Sequence, residues 1–129
     1  MSPWVWLDER DARAIHDRSL LLHGGAPGLR DPGLLQSALA RPQQLDAYGE
    51  AVDVADLAAA LTAGLLQNHP FVDGNKRTGF VIGVLFLELN GARFTASEEA
   101  ATQAVLALAA GAIDDAAYAM FLRENSSGE

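Results

Sequence analysis

The chain has 129 residues, half of them apolar, no cysteine and a formal net charge of −8. At this length a single domain buries roughly two-thirds of its unfolded surface. The acidic balance opposes nucleic-acid binding, the lack of cysteine excludes disulfides and thiolate metal sites, and no apolar run reaches the ~18 residues of a membrane span. The start of the sequence also lacks a secretory pattern. We therefore expect one domain over residues 1–129 in a bacterial-type cytoplasm, with no direct nucleic-acid or membrane partner.

The first predicted helix covers about residues 9–22. Asp8 is a suitable N-cap for it, and Gly24-Gly25 provide a stop. Two histidines, His16 and His23, lie on or beside this helix. Histidines on a helix flank are more often surface or capping groups than catalysts, and we interpret both in that way.

A second, shorter helix is predicted to open at Asp31-Pro32, an N-cap followed by proline at the first helical position. Pro42 is expected to close it, because proline removes a hydrogen bond and clashes with the preceding turn. Residues 42–50 should then form a loop. Tyr48, within this loop, belongs either to a simple connector or to a mobile flap beside the site formed later in the chain.

The third and fourth helices flank the most polar stretch of the middle of the chain. Asp53 caps the third helix, which must end near His69 because Pro70 cannot continue it. Residues 76–90 are apolar on nearly every side and end at Asn90-Gly91, so we expect them to form the central buried helix of a bundle.

Two further helices complete the predicted fold. Thr95 or Ser97 caps an Ala-rich helix to about Ala110, and Asp114 or Asp115 begins the last one. The tail, about residues 125–129, has the composition of a disordered segment. Because the chain is rich in Ala and Leu and poor in β-branched runs, we predict an all-α bundle of about six helices.

The residues that carry chemistry gather in His69-Pro70-Phe71-Val72-Asp73-Gly74-Asn75-Lys76-Arg77. A helix N-terminus that follows a Gly-containing turn offers unpaired backbone N–H groups, so Gly74, Asn75 and Lys76 form an anion cradle. Phosphate is the obvious candidate. Arg77 adds a fork of donors for phosphate oxygens, whereas the Lys76 ammonium is a point charge within the cradle or beside it.

The remaining side chains complete a candidate transfer site. Asp73 is suited to hold Mg²⁺ against nucleotide oxygens, and neutral His69 can accept the proton of an incoming hydroxyl. Phe71 should point into the core and fix the loop. These parts describe metal-assisted phosphoryl or nucleotidyl transfer. The residue types leave a purely structural alternative open, in which His69 closes a helix and the following residues form a turn and a solvated cationic patch.

The stretch resembles the signature H-x-F-x-[DE]-G-N-x-R of the Fic/Doc superfamily at every fixed position. Further similarity to the Doc (death-on-curing) branch extends over residues 28–35, 40–42, 48–49 and 86–91. The resemblance implies the Fic/Doc fold and a role for each motif residue. These roles are a catalytic base at His69, a Mg²⁺ ligand at Asp73, a structural side chain at Phe71, and a phosphate-binding turn at Gly74, Asn75, Lys76 and Arg77.

Two departures bear on the transferred group. Fic enzymes that transfer AMP resemble H-x-F-x-[DE]-G-N-G-R-x-x-R, with glycine and arginine where this chain has Lys76 and Phe80. The resemblance to Doc instead implies an ATP- and Mg²⁺-dependent protein kinase that phosphorylates a threonine of elongation factor Tu and arrests translation. It also implies a Phd-like antitoxin whose disordered C-terminal segment folds on binding. An AMP-transferase and a catalytically silent binding module remain the alternatives.

Overall fold

The computed structural model describes residues 3–128 and contains six α-helices and two three-residue strands. The all-α prediction is therefore confirmed. The elements are α1 (Glu9–His23), α2 (Pro32–Tyr48), α3 (Val54–Asn68), α4 (Asn75–Leu89), β1 (Ala92–Phe94), α5 (Glu98–Ala109), α6 (Asp115–Glu124) and β2 (Ser126–Gly128). Within residues 3–128, no helix combines the length and the apolar character that crossing a membrane requires.

Most helices begin at the side chains that the sequence predicts. Asp8 and Asp53 each form a capping box with the third residue of the following helix, and Ser97 and Asp114 each accept a hydrogen bond from an N–H in the first turn. Such contacts satisfy amides that have no partner inside the helix. The caps therefore fix the starts of α1, α3, α5 and α6.

The predicted end of the second helix is wrong. α2 continues through Pro42 to Tyr48, so the loop expected over residues 42–50 is mostly helical. Pro42 is buried on the same helical face as Leu35, Ala38 and Leu39. Burial of this face against α3 outweighs the hydrogen bond that proline removes.

The centre of the bundle is α3, whereas the sequence predicts that position for residues 76–90. Every residue from position 57 to position 66 is buried, and α2, α4, α5 and α6 all pack on this helix. Small residues permit the close approach. A Cβ at Gly64 would lie 3.3 Å from the Ala38 Cα, and a Cβ at Gly83 would collide with the Thr62 hydroxyl. α4 is buried on its α3 side, while Val81 and Leu89 remain exposed.

The end of the chain differs from the disorder that its composition predicts. Residues 126–128 form β2, which pairs antiparallel with β1 in the register Arg93 to Ser127. Thr95 reinforces the junction, because its N–H and its hydroxyl both donate to the Asn125 carbonyl, at 2.7 and 3.0 Å. Composition does not predict this kind of pairing between segments that are distant in the sequence. Glu129 lies outside the described residues.

Candidate active site

The motif lies in the loop between α3 and α4, at one end of the bundle. His69 ends α3 in a left-handed conformation (φ 47°, ψ 56°), so the chain turns away before Pro70. A cleft of about 280 Å³ opens here. The residues that line it are His69, Val72, Asp73, Gly74, Asn75, Lys76 and Arg77. The structure thus brings together every sequence-predicted site residue except Phe71 and Tyr48. Phe71 supports the loop from its buried side.

Asn75 closes the loop from inside. Its Oδ1 accepts from the Phe71 N–H and its Nδ2 donates to the Phe71 carbonyl, both at 3.0 Å. Nδ2 also lies 3.4 Å from His69 Nδ1, so the same side chain orients the imidazole. The Phe71 ring is buried, at 2% exposure, as the sequence predicts for a structural residue. Asn75, itself 6% exposed, thereby holds the loop closed as well as being the first residue of α4.

The first turn of α4 faces the cleft with its amides uncapped. Gly74 is the N-cap, in a left-handed conformation (φ 76°, ψ 19°), and no side chain among residues 3–128 accepts a hydrogen bond from the first turn. The N–H groups of a first turn have no intrahelical partner, and the helix dipole adds positive charge. The exposed side chains of Lys76 and Arg77 stand beside them. This arrangement suits an anion with several oxygens, such as a phosphate.

Asp73 presents an ionised carboxylate at the same cleft. Its pKa is held below the usual value, first by the N–H of Ala26, which donates to Oδ2 at 3.1 Å, and then by the N–H of Gly74, which donates to Oδ1 at 2.8 Å. Each oxygen keeps a further lone pair for a cation. Among residues 3–128 no group of three acidic or histidine side chains forms a metal site. A single carboxylate of this kind fits a Mg²⁺ ion that takes its other ligands from phosphate and water.

A strap formed by residues 26–31 holds the motif from outside. Leu29 pairs with Phe71 in an isolated β-bridge, and the N–H groups of Arg30 and Asp31 both donate to the Pro70 carbonyl, at 2.7 and 3.0 Å. The Arg30 guanidinium donates to the carbonyls of Asn68 (2.8 Å) and His69 (2.7 Å), which are orphan acceptors at the end of α3. Sequence reasoning did not assign Arg30 a role.

His16 is the second residue that the sequence analysis missed. It is 2% exposed, so its interpretation as a surface or capping group is wrong, whereas His23 is exposed as expected. The spacing of the buried residues Ala12, His16 and Ser19 follows one face of α1. That helical spacing was the available signal. His16 contacts two residues of the motif, Phe71 and Asp73.

Tyr48 does not reach the cleft. α2 runs antiparallel to α3, because Leu34 at its start bonds to Asn68 and Gly49 beyond its end lies against Val52. Tyr48 therefore lies beside the N-terminus of α3, about 20 Å from His69 at about 1.5 Å of rise per residue. The segment beside the cleft is instead the strap of residues 26–31.

The model of the Fic/DOC family matches residues 6–87, well over half of the chain. The chain belongs to the Fic/DOC family. It is 36% identical over 88 residues to "Protein kinase doc" of Escherichia phage P1, covering 68% of this chain and 70% of that protein. It is 46% identical over 95 residues to "Toxin Doc" of Mycolicibacterium smegmatis, covering 70% of this chain and 68% of that protein.

The family match covers the part of the chain that builds the cleft. It runs from the segment before α1 into α4 and includes the strap and the whole motif. β1, α5, α6 and β2 follow it. Of these elements, β1 and α5 form, together with α4, an apolar groove of about 610 Å³ beside the Fic/DOC motif. The groove runs from Lys76 and Arg77 along α4, between that helix and α5, and is lined mainly by Phe80, Val81, Val84, Phe94, Val105 and Leu106.

Proposed function

We propose that this chain is a Doc-like toxin that acts as a protein kinase, transferring the γ-phosphate of ATP to a threonine hydroxyl of a protein. One observation carries the proposal: the imidazole of His69, the Asp73 carboxylate and the uncapped first turn of α4 share one cleft. The names of the two relatives, a protein kinase and a toxin, support the same class of activity.

The chain's own residues account for the main tasks of such a transfer. His69 accepts the proton as the hydroxyl oxygen forms a bond to the γ-phosphorus; the bond from phosphorus to the bridging oxygen breaks, and ADP leaves with that electron pair. The first-turn amides, with Lys76 and Arg77, bind the phosphate oxygens. Mg²⁺, held by Asp73 and phosphate oxygens, would neutralise charge that develops on the phosphates.

Phosphate transfer is favoured over AMP transfer by the surroundings of position 80. Phe80 is half-buried and packs edge-on against Phe94, with ring centroids 5.8 Å apart. The position that carries a second arginine in AMP-transferring Fic enzymes therefore lies within apolar packing. Lys76, where those enzymes have glycine, adds a cation at the cleft. The phenylalanine removes a phosphate ligand, and the lysine places a side chain where glycine leaves room for a triphosphate bound in the AMP-transferring orientation.

ATP labelled at either the α- or the γ-phosphate decides between the two reactions. The purified chain is incubated with a cell extract, Mg²⁺ and each label in turn. Label in protein from the γ position supports the kinase, whereas label from the α position makes the chain an AMP-transferase. Following the resemblance, we expect the labelled protein to be elongation factor Tu, and mass spectrometry of the labelled band checks its identity.

A silent binding module is tested by His69→Ala. Loss of the general base should lower transfer about 10²- to 10⁴-fold and abolish growth arrest on expression. Arg41→Met, which removes an arginine that contacts the last turn of α3 at Gln67 outside the motif, should leave arrest unchanged. Growth arrest that persists in a folded His69→Ala protein would favour the non-enzymatic function.

We also propose a Phd-like antitoxin as the partner, with the groove along α4 and α5 as its docking surface. Val84 and Leu106 line this groove, and Lys76 and Arg77 lie at its end beside the cleft. An amphipathic segment that folds into it would reach the catalytic residues. Val84→Glu should therefore reduce rescue of growth by a co-expressed antitoxin while arrest by the toxin persists. Full rescue of this variant would exclude the groove.

A further inference from the structure

His16 connects α1 to the motif through two contacts that the proposed mechanism does not use. Its ring stacks on that of Phe71, with centroids 3.9 Å apart and an angle of 9° between the planes. Its Nε2 lies 2.7 Å from the Asp73 carbonyl oxygen. A carbonyl oxygen only accepts, so Nε2 carries the hydrogen and donates it. The ring is 2% exposed, so water does not compete for this bond.

The hydrogen bond fixes one peptide plane in the cleft. The described peptide bonds are all trans, so the Asp73 carbonyl and the Gly74 N–H point in opposite directions. Holding the carbonyl toward His16 aims the Gly74 N–H at the Asp73 carboxylate, where it donates to Oδ1 at 2.8 Å. The orientation of the carboxylate and the start of α4 therefore depend on a side chain that comes from 57 residues earlier.

The left-handed Gly74 increases that dependence. A glycine adopts positive φ without a side-chain clash, but it also has the greatest freedom to leave that conformation. Gly74 carries the N-cap position of α4, so a rotation of its peptide would redirect the first-turn amides. The Phe71 ring, stacked under His16, prevents the imidazole from following such a rotation.

We infer that His16 is a positioning residue of the cleft, acting through the Asp73 carbonyl and the Phe71 ring. It holds the Asp73 carboxylate and the first-turn amides of α4 in the geometry that binds a magnesium-bound nucleotide phosphate. This role rests on the proposed function for its ligand, but the ordering of the loop that it requires is independent of any ligand. A histidine that only filled the core would stabilise the fold. Its replacement would then leave unchanged the gain in ATP affinity that Mg²⁺ gives.

Two variants of His16 separate the ring stacking from the hydrogen bond, and a third variant is a control. His16→Phe keeps a ring for stacking and loses the donor, whereas His16→Gln keeps a donor close to the Nε2 position. Leu122→Val, a buried change in α6, which packs on α3, is the control for a general loss of stability. The melting temperature of each variant is measured first, and binding is compared at a temperature where all are folded.

The first readout is the effect of Mg²⁺ on ATP affinity, measured by calorimetry with Mg²⁺ and with a chelator. In His16→Phe we expect the gain in affinity that Mg²⁺ gives to fall about tenfold to a hundredfold, the size typical for losing a group that orients a metal ligand. Affinity for metal-free ATP should change little. His16→Gln should recover most of the gain, and Leu122→Val should retain all of it. An unchanged Mg²⁺ effect in His16→Phe would overturn the inference.

The second readout needs no ligand. In nitrogen relaxation measurements by nuclear magnetic resonance, the order parameters of the Gly74 and Asn75 amides should fall in His16→Phe from about 0.85 to below about 0.6, and stay high in His16→Gln and Leu122→Val. If the wild type binds no Mg²⁺-ATP, the proposed function fails, and these order parameters decide the positioning role. Values that stay high in His16→Phe would refute it.

Discussion

Asn75 and Phe71 are joined by two hydrogen bonds of 3.0 Å, side-chain amide to backbone peptide, which close the motif loop into a ring. Both residues are buried, so the Phe71 N–H and carbonyl have no access to water as a substitute partner. The asparagine of the motif is therefore a structural requirement of the loop before it has any role toward a ligand.

Replacing Asn75 with Ala should destabilise the protein and remove nucleotide binding together. Each buried group left unpaired costs about 1–3 kcal/mol, so the unfolding free energy from urea titration should fall by at least about 2 kcal/mol. Asn125→Ala, which removes an asparagine that donates to the Phe121 carbonyl at the end of α6, is the matched control. It should leave Mg²⁺-ATP binding intact, and an Asn75→Ala protein that binds as well as this control would contradict the prediction.

The contact between α3 and α4 depends on Gly83. An added Cβ would collide with the Thr62 hydroxyl, which donates to the Gly79 carbonyl at 2.9 Å. Overpacking costs typically about 1–3 kcal/mol, and we expect Gly83→Ala to lower the unfolding free energy by that amount. In the double variant Thr62→Ala, Gly83→Ala, the clash disappears. The double variant should then lose less unfolding free energy than the two single variants lose together. An equal loss would show that the helices shift apart instead.

The ion pair between Arg123 and Asp53 should make stability depend on pH. The Arg123 guanidinium, which donates to both Asp53 oxygens at 2.7 and 3.0 Å, lowers the Asp53 pKa to about 2. Because the folded pKa is depressed, the stabilisation is complete above the unfolded value near ~3.9 and is lost as pH falls through about 2. Both side chains are nearly half exposed, so screening reduces it to about 1 kcal/mol.

We therefore expect Arg123→Met to lower the unfolding free energy at neutral pH, and the gap to the wild type to close between about pH 4 and pH 2. Denaturant titrations across this range measure the gap. Arg13→Met, which removes a helical pair with Glu9, should cost only about 0.3–0.5 kcal/mol. A gap that persists undiminished at pH 2 would mean that the Arg123 stem, rather than its charge, supplies the stability.

Arg30 should support catalysis through the backbone of His69. Its guanidinium binds the carbonyls of Asn68 and His69, and His69 has an unfavourable positive φ. Arg30→Ala should cost about 1.5 kcal/mol, the low end for hydrogen bonds to a charged group because Arg30 is exposed.

In steady-state assays, kcat of the Arg30→Ala variant should fall more than its affinity for Mg²⁺-ATP changes, because His69, the proposed base, loses its position while the proposed phosphate-binding turn stays in place. Arg41→Met is again the control, since Arg41 bonds to Gln67 on the same turn of α3 without touching the motif. A normal kcat in Arg30→Ala would show that Asn75 suffices to hold His69.

The local signals in the sequence predicted the structure correctly where a side chain affects the backbone within a few residues of itself. The aspartates and the serine that cap four of the helices appear at the expected positions, and Pro70 ends α3 as its chemistry requires. The motif residues other than Pro70 and Phe71 meet in one cleft because they are close in sequence and span a single helix–loop–helix junction. Short-range geometry determined both results.

The tertiary structure decided what depends on partners distant in the chain. Pro42 stays helical because α3 covers its face, residues 126–128 become a strand because β1 offers them partners, and Tyr48 lies at the wrong end of α3 for a flap. His16 and Arg30 reach the motif across 57 and 39 residues. A sequence pattern indicates which residues will be buried or will need a hydrogen-bond partner. Only the packing of α1, α2 and the strap against α3 and α4 determines which partner each one contacts.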